Sequence, residues 1–204
     1  MPIILIATRN KDKVLEINHK LKGLGLEVKS FLDFPHIPEV IEDGKTIEEN
    51  ALKKARIGFF ATGLTTLSDD TGIEVEALNG APGLYSSRYA GDNASYADNR
   101  HKLLRELEGI PIEKRRAVFR TVVVIFDKDG FNQLEGRCEG LITEDERGTG
   151  GFGYDPIFLL PEYGMTFAEM PLKLKNRVSH RGRAVEKAIQ IIREKLKIYP
   201  ENRI

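Results

Sequence analysis

The feature that most restricts the fold of this sequence is a pair of long apolar segments joined by a tight turn. Residues 117–126 (AVFRTVVVIF) give the strongest strand pattern in the chain, because branched and aromatic side chains dominate them. The Asp-Gly pair within residues 127–130 is typical of a hairpin turn, and residues 131–142 form the partner strand. A long hairpin of this kind predicts a sheet that is not wholly parallel.

Strands and helices alternate on both sides of this hairpin, and each is recognised by its apolar spacing and its end signals. The other predicted elements are a buried strand at 3–7, a helix with apolar positions Val14, Ile17, Leu21 and Leu24, a strand at 26–31, a helix from Thr46, a strand at 64–68 that carries Asp69 and Asp70 at its carboxyl end, a helix capped by Ser95, a strand at 156–160 and a helix capped by Ser179. This order indicates an α/β protein with a mixed sheet and flanking helices.

The length of the chain and its formal net charge exclude several classes of protein. A chain of 204 residues suffices for one large domain or two small lobes. Its formal net charge of zero counts against a general nucleic-acid binder, which carries a basic surplus. The opening apolar run has no basic leader or cleavage site, and no run approaches the roughly 20 residues needed to cross a bilayer. We therefore expect a cytoplasmic protein that binds neither nucleic acid nor membrane.

Two predicted helices begin with basic residues, where the helix dipole disfavours them. Lys11 and Lys13 open the first helix, and His180 and Arg181 open the last. A phosphate bound at a helix amino terminus reverses that cost, because the amides and the cationic side chains then attract the same anion. The alternative is that these side chains point into water. Two such helices in one chain favour an anion site.

The adjacent carboxylates Asp69 and Asp70, with Glu42 and Asp43 upstream, form a second candidate site. Neighbouring strand residues point to opposite faces, so we expect that the two aspartates cannot both face the core. We expect one to reach a ligand and the other to accept hydrogen bonds from loop amides. Carboxylates of this kind hold magnesium in phosphate-transfer enzymes. The spacing alone is equally compatible with a solvated turn.

Residues 148–156 (GTGGFGYDP) combine four glycines with two aromatic side chains. Glycine lets the backbone approach a ligand closely, and aromatic rings stack on bases. The segment has neither the Gly-Lys-Ser/Thr of a phosphate-binding Walker loop nor the spacing of a dinucleotide-binding loop. Taken alone, the segment is better interpreted as a tight turn.

These segments together resemble one family, the noncanonical purine nucleoside triphosphate pyrophosphatases, or inosine triphosphatases. The matching pieces keep the order of that family and cover almost the whole chain. They are residues 7–13 (ATRNKDK) with Glu16, residues 49–51 with Lys54, residues 68–72 (SDDTG), 80–83 (GAPG) and 87–89 (SRY), residues 148–156, and Lys175 followed by residues 179–181 (SHR).

The resemblance implies a single two-lobed domain over residues 1–204. Its lobes would flank a long mixed sheet, the nucleotide would lie in a cleft between them, and two copies would form a homodimer. Asp70 would be the catalytic carboxylate that holds Mg²⁺ and activates water, with Glu42 as a second metal ligand and Asp69 as a third candidate. The implied substrate-binding residues are Thr8, Arg9, Asn10, Lys11, Asp12, Lys13, Lys54, Thr71, Phe152, Gly153, Tyr154, Asp155, Lys175, His180 and Arg181.

One residue departs from the family pattern. Arg9 stands where a small residue is more usual, so we expect its side chain to contribute little to phosphate binding.

The implied activity is hydrolysis of triphosphates such as ITP, dITP, XTP and dXTP to the monophosphate and pyrophosphate. A Maf-like pyrophosphatase for other modified nucleotides is one alternative, although residues 150–155 (GGFGYD) and 179–181 (SHR) count against it. A nucleotide-binding regulator without catalysis is another. A regulator would keep the basic helix ends but would not need Asp70.

Overall fold

A computed structural model describes residues 1–198 of the chain. In chain order its elements are β1 (Ile3–Ile6), α1 (Lys11–Leu21), β2 (Glu27–Ser30), α2 (Ile47–Thr62), β3 (Thr66–Val75), β4 (Pro82–Gly83), α3 (Tyr96–Glu106), β5 (Arg116–Asp127), β6 (Gly130–Ile142), β7 (Phe158–Leu160), β8 (Met165–Thr166), α4 (Leu172–Val178) and α5 (His180–Leu196). None of the helices in this part of the chain is long and apolar enough to cross a membrane.

The strands form one mixed sheet in the order β2-β1-β3-β5-β6-β7-β8, with β4 paired to β3. β1 runs parallel to β2, with Ile3 opposite Glu27, and parallel to β3, with Leu5 opposite Thr66. β7 runs antiparallel to both β6 and β8. The α/β class, the mixed sheet and the long hairpin of β5 and β6 are therefore confirmed.

The chain divides into two compact units. Within the described residues, unit 1 comprises Met1–Asp70, Thr121–Gly136 and residues 181–198, and unit 2 comprises Thr71–Arg120 and Arg137–His180. The boundaries thus fall between residues that the sequence analysis singled out, at Asp70/Thr71 and at His180/Arg181. That residues 1–204 act as one two-lobed domain with an active-site cleft remains a prediction.

In unit 1, both faces of β1 are buried. Ile4 and Ile6 pack with α1 and α5 in one apolar cluster, and Leu5 and Ala7 pack with residues 31–37 in another. This division follows from the two-residue repeat of a strand, which sends alternate side chains to opposite faces. The candidate site residues that follow β1 are therefore attached to a strand that is packed on both faces.

In unit 2, an aromatic core joins several strands to the loops after them. The ring of Phe119 on β5 lies 4.7 Å from that of Phe158 on β7 and 6.0 Å from that of Phe167. The same core buries Leu103 of α3 and Val178 of α4. Tyr154 of the glycine-rich segment packs in the same core, which anchors that segment.

The third strand differs from its prediction. It spans Thr66–Val75 rather than residues 64–68, so the two aspartates lie inside a strand and not at its carboxyl end. Beyond them the strand pairs antiparallel with β4, where Ile73 lies opposite Gly83. The Asp-Asp-Thr-Gly sequence resembles a turn, and this pairing partner is only two residues long.

Other differences are local. The second strand ends at Ser30 instead of Phe31, because the Ser30 hydroxyl accepts from the Leu32 amide and starts a short 3-10 turn. The helix α4 was not predicted. It has seven residues and no side-chain cap, so it carries neither a long apolar repeat nor a start signal.

Packing in unit 1 gives a stability prediction. Ile17 of α1 is fully buried, whereas Leu15 on the same helix is 58% exposed. We expect Ile17→Ala to lower the free energy of unfolding by about 2–5 kcal/mol, because it leaves a cavity. Unfolding in urea measures this free energy. The matched variant Leu15→Ala should change it by less than about 0.5 kcal/mol, and equal losses in both variants would contradict the packing described here.

Candidate active site

The two aspartates of β3 are both buried and contact different helices. Asp69 is 1% exposed and Asp70 is 7% exposed. The Asp69 carboxylate contacts side chains of α1 and α5, whereas the Asp70 carboxylate contacts α2. The expectation that the two could not both face the core is therefore wrong, because helices cover both faces of the strand at this point, and each carboxylate has its own cationic partners.

Asp69 belongs to a buried network of alternating charges. Its Oδ2 accepts from Arg181 Nε at 3.0 Å and lies 3.1 Å from Lys13 Nζ. The Arg181 guanidinium also donates, through Nη1, to Glu16 Oε2 at 2.6 Å. Burial alone raises the pKa of Asp69, but the charges of Lys13 and Arg181 outweigh it and hold that pKa well below its usual range. Two cations thus balance two carboxylates.

This network bears on two expectations. Loop amides were expected to bind one aspartate, whereas charged side chains bind Asp69. Because two cations share its Oδ2, the arrangement favours a structural role for Asp69 over a role as a metal ligand. Glu16 is the member that the sequence did not single out as a site residue. A glutamate on an amphipathic helix is usually exposed, but its spacing of three residues from Lys13 places both on one helix face.

Asp70 shares a lysine with Glu42. The buried Lys54 Nζ donates to Asp70 Oδ1 at 2.8 Å and to Glu42 Oε1 at 2.6 Å. Burial and the Glu42 carboxylate raise the pKa of Asp70, and Lys54 offsets only part of that effect. For Glu42, burial also raises the pKa, but Lys54 outweighs it and the net change is downward.

This group of three has the chemistry of a magnesium site. Two carboxylates and one ammonium leave a surplus of one negative charge when both acids are ionised, and Lys54 engages only one oxygen of each acid. Mg²⁺ takes hard oxygen ligands and usually one or two carboxylates, with water and phosphate completing the set. Within residues 1–198, no cluster of three or more His, Cys, Asp or Glu side chains forms a complete protein cage. The Asp70–Glu42 pair fits a metal that is shared with a phosphate substrate.

The start of α1 is built around Asn10. Its side chain caps the helix by accepting from the amides of Asp12 and Lys13 at 3.0 and 3.2 Å, and its own amide donates to Thr8 Oγ1. The sequence predicted that this helix end grips phosphate. The structure brings Lys13 to the aspartates, whereas it gives the first amides an internal acceptor and leaves the Lys11 side chain exposed.

Arg9, predicted to contribute little, makes definite contacts. Its guanidinium donates to the backbone carbonyls of Phe31 at 3.1 Å and Ile37 at 2.5 Å. It therefore binds protein backbone in the segment that leads to Glu42.

In unit 2, the predicted base-binding residues surround one buried ion pair. Lys175 Nζ contacts Asp155 Oδ2, and the same oxygen accepts from the Phe152 amide at 2.7 Å. The Lys175 ammonium lies 5.0 Å from the centroid of the Phe152 ring. Gly151 has a φ of +67°, and a Cβ there would lie 2.0 Å from the same carboxylate. The glycine is therefore required for Asp155 to organise this loop.

Two further predicted residues are part of the core of unit 2. The Tyr154 hydroxyl donates to the Ser86 carbonyl at 2.8 Å, and burial raises the pKa of Tyr154. The His180 ring stacks on Phe119 with 4.3 Å between centroids. Tyr154 and His180 therefore pack within unit 2 and help to hold the glycine-rich segment in place.

A contact that the sequence did not reveal holds the same loop from α3. Arg100 donates to the Gly153 carbonyl at 2.9 Å, and Glu146 binds its guanidinium through both carboxylate oxygens. The contact spans more than fifty residues of sequence, so no local pattern could identify it.

The predicted site residues therefore lie in two groups. Unit 1 brings together Lys13, Glu42, Lys54, Asp69, Asp70 and Arg181, together with the loop Thr8–Asp12. Unit 2 holds Phe152, Gly153, Tyr154, Asp155, Lys175 and His180, and Thr71 is its first residue, half-buried on β3.

Comparison with known proteins identifies relatives that match most of the chain. The chain is 52% identical over 186 residues to a dITP/XTP pyrophosphatase of Geobacter sulfurreducens, which covers 91% of this chain and 94% of the relative. It is 48% identical over 190 residues to a dITP/XTP pyrophosphatase of Desulforamulus reducens, with 93% and 94% covered.

Solved structures and a family model give the same result. A HAM1 protein from Coxiella burnetii superposes with a TM-score of 0.84 at 38% identity, covering 95% of this chain and all of that one. A nucleoside-triphosphatase, dITP/XTP pyrophosphatase, from Mycobacterium abscessus gives 0.70 at 41% identity, with 91% and 97% covered. The Ham1 family model matches residues 4–191. The chain therefore belongs to the Ham1 family.

Proposed function

We propose that this protein is a magnesium-dependent nucleoside-triphosphate pyrophosphatase. It hydrolyses noncanonical purine nucleotides such as dITP, ITP, XTP and dXTP to the monophosphate and pyrophosphate, and so removes them from the nucleotide pool. The observation that carries the proposal is the group formed by Asp70 of β3, Lys54 of α2 and Glu42 of the segment before α2, in which the buried lysine donates to both carboxylates. Relatives that share about half of the sequence, named as dITP/XTP pyrophosphatases, support the substrate class.

Asp70 and Glu42 are the proposed ligands of Mg²⁺. When bound there, the metal supplies positive charge to the phosphate oxygens as the reaction develops negative charge on them. Lys54 holds the two carboxylates in place by donating to both. This arrangement is preorganised, because the buried lysine fixes both acids before the substrate arrives.

In the proposed reaction, a water oxygen forms a bond to the α-phosphorus as the bond from that phosphorus to the bridging oxygen of pyrophosphate breaks. Asp70 accepts the proton of the water, and its raised pKa brings it closer to the working range of a general base. Lys13 and Lys54 stabilise the charge that collects on the leaving pyrophosphate. Positioning and charge neutralisation of this kind dominate phosphoryl transfer.

Selection of the base is assigned to the loop in unit 2. The Phe152 ring offers a stacking surface, and the Lys175 ammonium beside it is a buried donor. A purine with an oxo group at its six-position can accept a hydrogen bond from a buried donor of this kind. Adenine presents an amino group there and leaves the donors unpaired, at roughly 1–3 kcal/mol for each one.

Two further properties are proposed from the family resemblance. The protein forms a homodimer, and it acts in the cytoplasm on free nucleotides.

The direct test of the function is a panel of triphosphates with Mg²⁺, followed by separation of the products. We expect inosine and xanthosine triphosphates to give monophosphate and pyrophosphate, with ATP nearly inert, and chelation of the metal should stop the reaction. Diphosphate and single phosphate as products would overturn the proposal. Preference for modified pyrimidines would favour the Maf-like alternative, and binding without turnover would favour the regulator.

Substitution of Asp70 separates catalysis from binding. We expect Asp70→Asn to lower kcat by about 100-fold or more, because the variant loses the general base and one metal ligand charge. The KM should change only modestly, since Lys13 and the base loop are untouched.

The matched control for this variant is Asp43→Asn. Asp43 lies next to Glu42 but is exposed and pairs with Lys53 on the surface. It should keep nearly full activity. A fully active Asp70→Asn enzyme would exclude the proposed role of that residue.

A further inference from the structure

We propose that Arg9 is a positioning residue, whose guanidinium clamps the segment between β2 and α2 and thereby sets Glu42 beside Lys54. This goes beyond the proposed function, because it gives a role through protein backbone to a side chain that stands in the predicted phosphate loop. Its effect on metal use rests on the proposed function, whereas its effect on the segment itself does not.

The clamp consists of two hydrogen bonds from one planar group. Nη1 donates to the Phe31 carbonyl at 3.1 Å and Nη2 donates to the Ile37 carbonyl at 2.5 Å. A guanidinium presents its N–H groups as a rigid fork, so it can hold two acceptors at a fixed separation. A lysine at this position would keep the charge but would lack the fork.

The clamped residues are also the apolar anchor of the segment. Phe31 and Ile37 are buried and pack in one cluster with Leu5 of β1 and with Ala7, which follows that strand. Between them the Phe34 carbonyl accepts from the Ile37 amide at 3.1 Å. The side chains and the two bonds from Arg9 therefore fix the same seven residues.

Glu42 follows five residues after this anchor, in a stretch without helix or strand. On its other side, the Gly44 amide donates to Asn50 Oδ1 at 2.8 Å, which ties the stretch to α2. Glu42 thus lies between an upstream anchor that depends on Arg9 and a downstream anchor that depends on Asn50. Loss of the upstream anchor should let the Glu42 carboxylate leave Lys54 and Asp70.

The placement of Arg9 in the chain gives the clamp a second consequence. It stands between Thr8 and Asn10, in the loop that starts α1 and presents Lys13 to the aspartates. One guanidinium therefore couples the loop that precedes α1 and Lys13 to the segment that carries Glu42.

The experiment compares Arg9→Ala and Arg9→Lys with the wild type and with Arg56→Ala. Arg56 is an exposed arginine of α2 in the same unit and serves as the control for loss of a surface charge. Hydrogen–deuterium exchange of the metal-free protein is measured for the amides of residues 31–45. Mg²⁺ is then titrated in the activity assay with inosine triphosphate.

We expect these amides to exchange about tenfold faster or more in both Arg9 variants. A hydrogen bond from a charged donor stabilises the closed segment enough to change its opening equilibrium by at least about that factor. Exchange in β5 should stay unchanged, which shows that the fold is intact. The Mg²⁺ concentration for half-maximal activity should rise about tenfold, with kcat at saturating metal within about threefold of wild type. Arg56→Ala should resemble wild type in every measurement.

Unchanged exchange in Arg9→Ala would overturn the clamp. Wild-type behaviour of Arg9→Lys would overturn it as well, because charge alone would then explain the effect. Faster exchange in the Arg9 variants of an enzyme with no pyrophosphatase activity would support the clamp while contradicting the proposed function.

Discussion

The structure depends on two consecutive carboxylates buried inside one strand. Moving an ion out of water costs several kcal/mol unless a partner compensates for it, and adjacent strand residues cannot share a partner on one face. Asp69 is therefore neutralised from the α1 and α5 side by Lys13 and Arg181, and Asp70 is neutralised from the α2 side by Lys54. The positions of three helices in unit 1 follow from this requirement together with their apolar packing.

The difference between the two acids lies in their charge balance. Asp69 and Glu16 face two cations, so their network is neutral and the pKa of Asp69 lies below its usual range. Asp70 and Glu42 share one contacting lysine, Lys54, and burial together with the Glu42 carboxylate raises the pKa of Asp70. A neutral network suits a structural core, whereas a surplus of negative charge attracts a cation. This difference supports the proposal that Asp69 is a structural carboxylate and Asp70 a reactive one.

Much of this was accessible from the sequence, and the exceptions have physical reasons. The long hairpin, the first strand and the basic helix starts were predicted from local patterns of apolar and charged residues. The length of β3 was missed because the Asp-Asp-Thr-Gly segment resembles a turn, whereas the strand continues through it and pairs with β4 at Ile73 and Glu74. The contacts of Arg9 and Arg100 were missed for a related reason, since their acceptors are backbone carbonyls distant in sequence. Within each unit, the structure places many of the predicted site residues next to one another, and their roles stay predictions.

The central claim is that Asp69 holds the fold and Asp70 does the chemistry. The most direct measurement is the free energy of unfolding of Asp69→Asn by urea, taken together with kcat per folded molecule. Removing one partner of a buried ion pair should lower that free energy by about 3–5 kcal/mol, and turnover of the folded fraction should stay within about tenfold of wild type. A variant as stable as wild type but without turnover would contradict the account, because Asp69 would then be the reactive carboxylate.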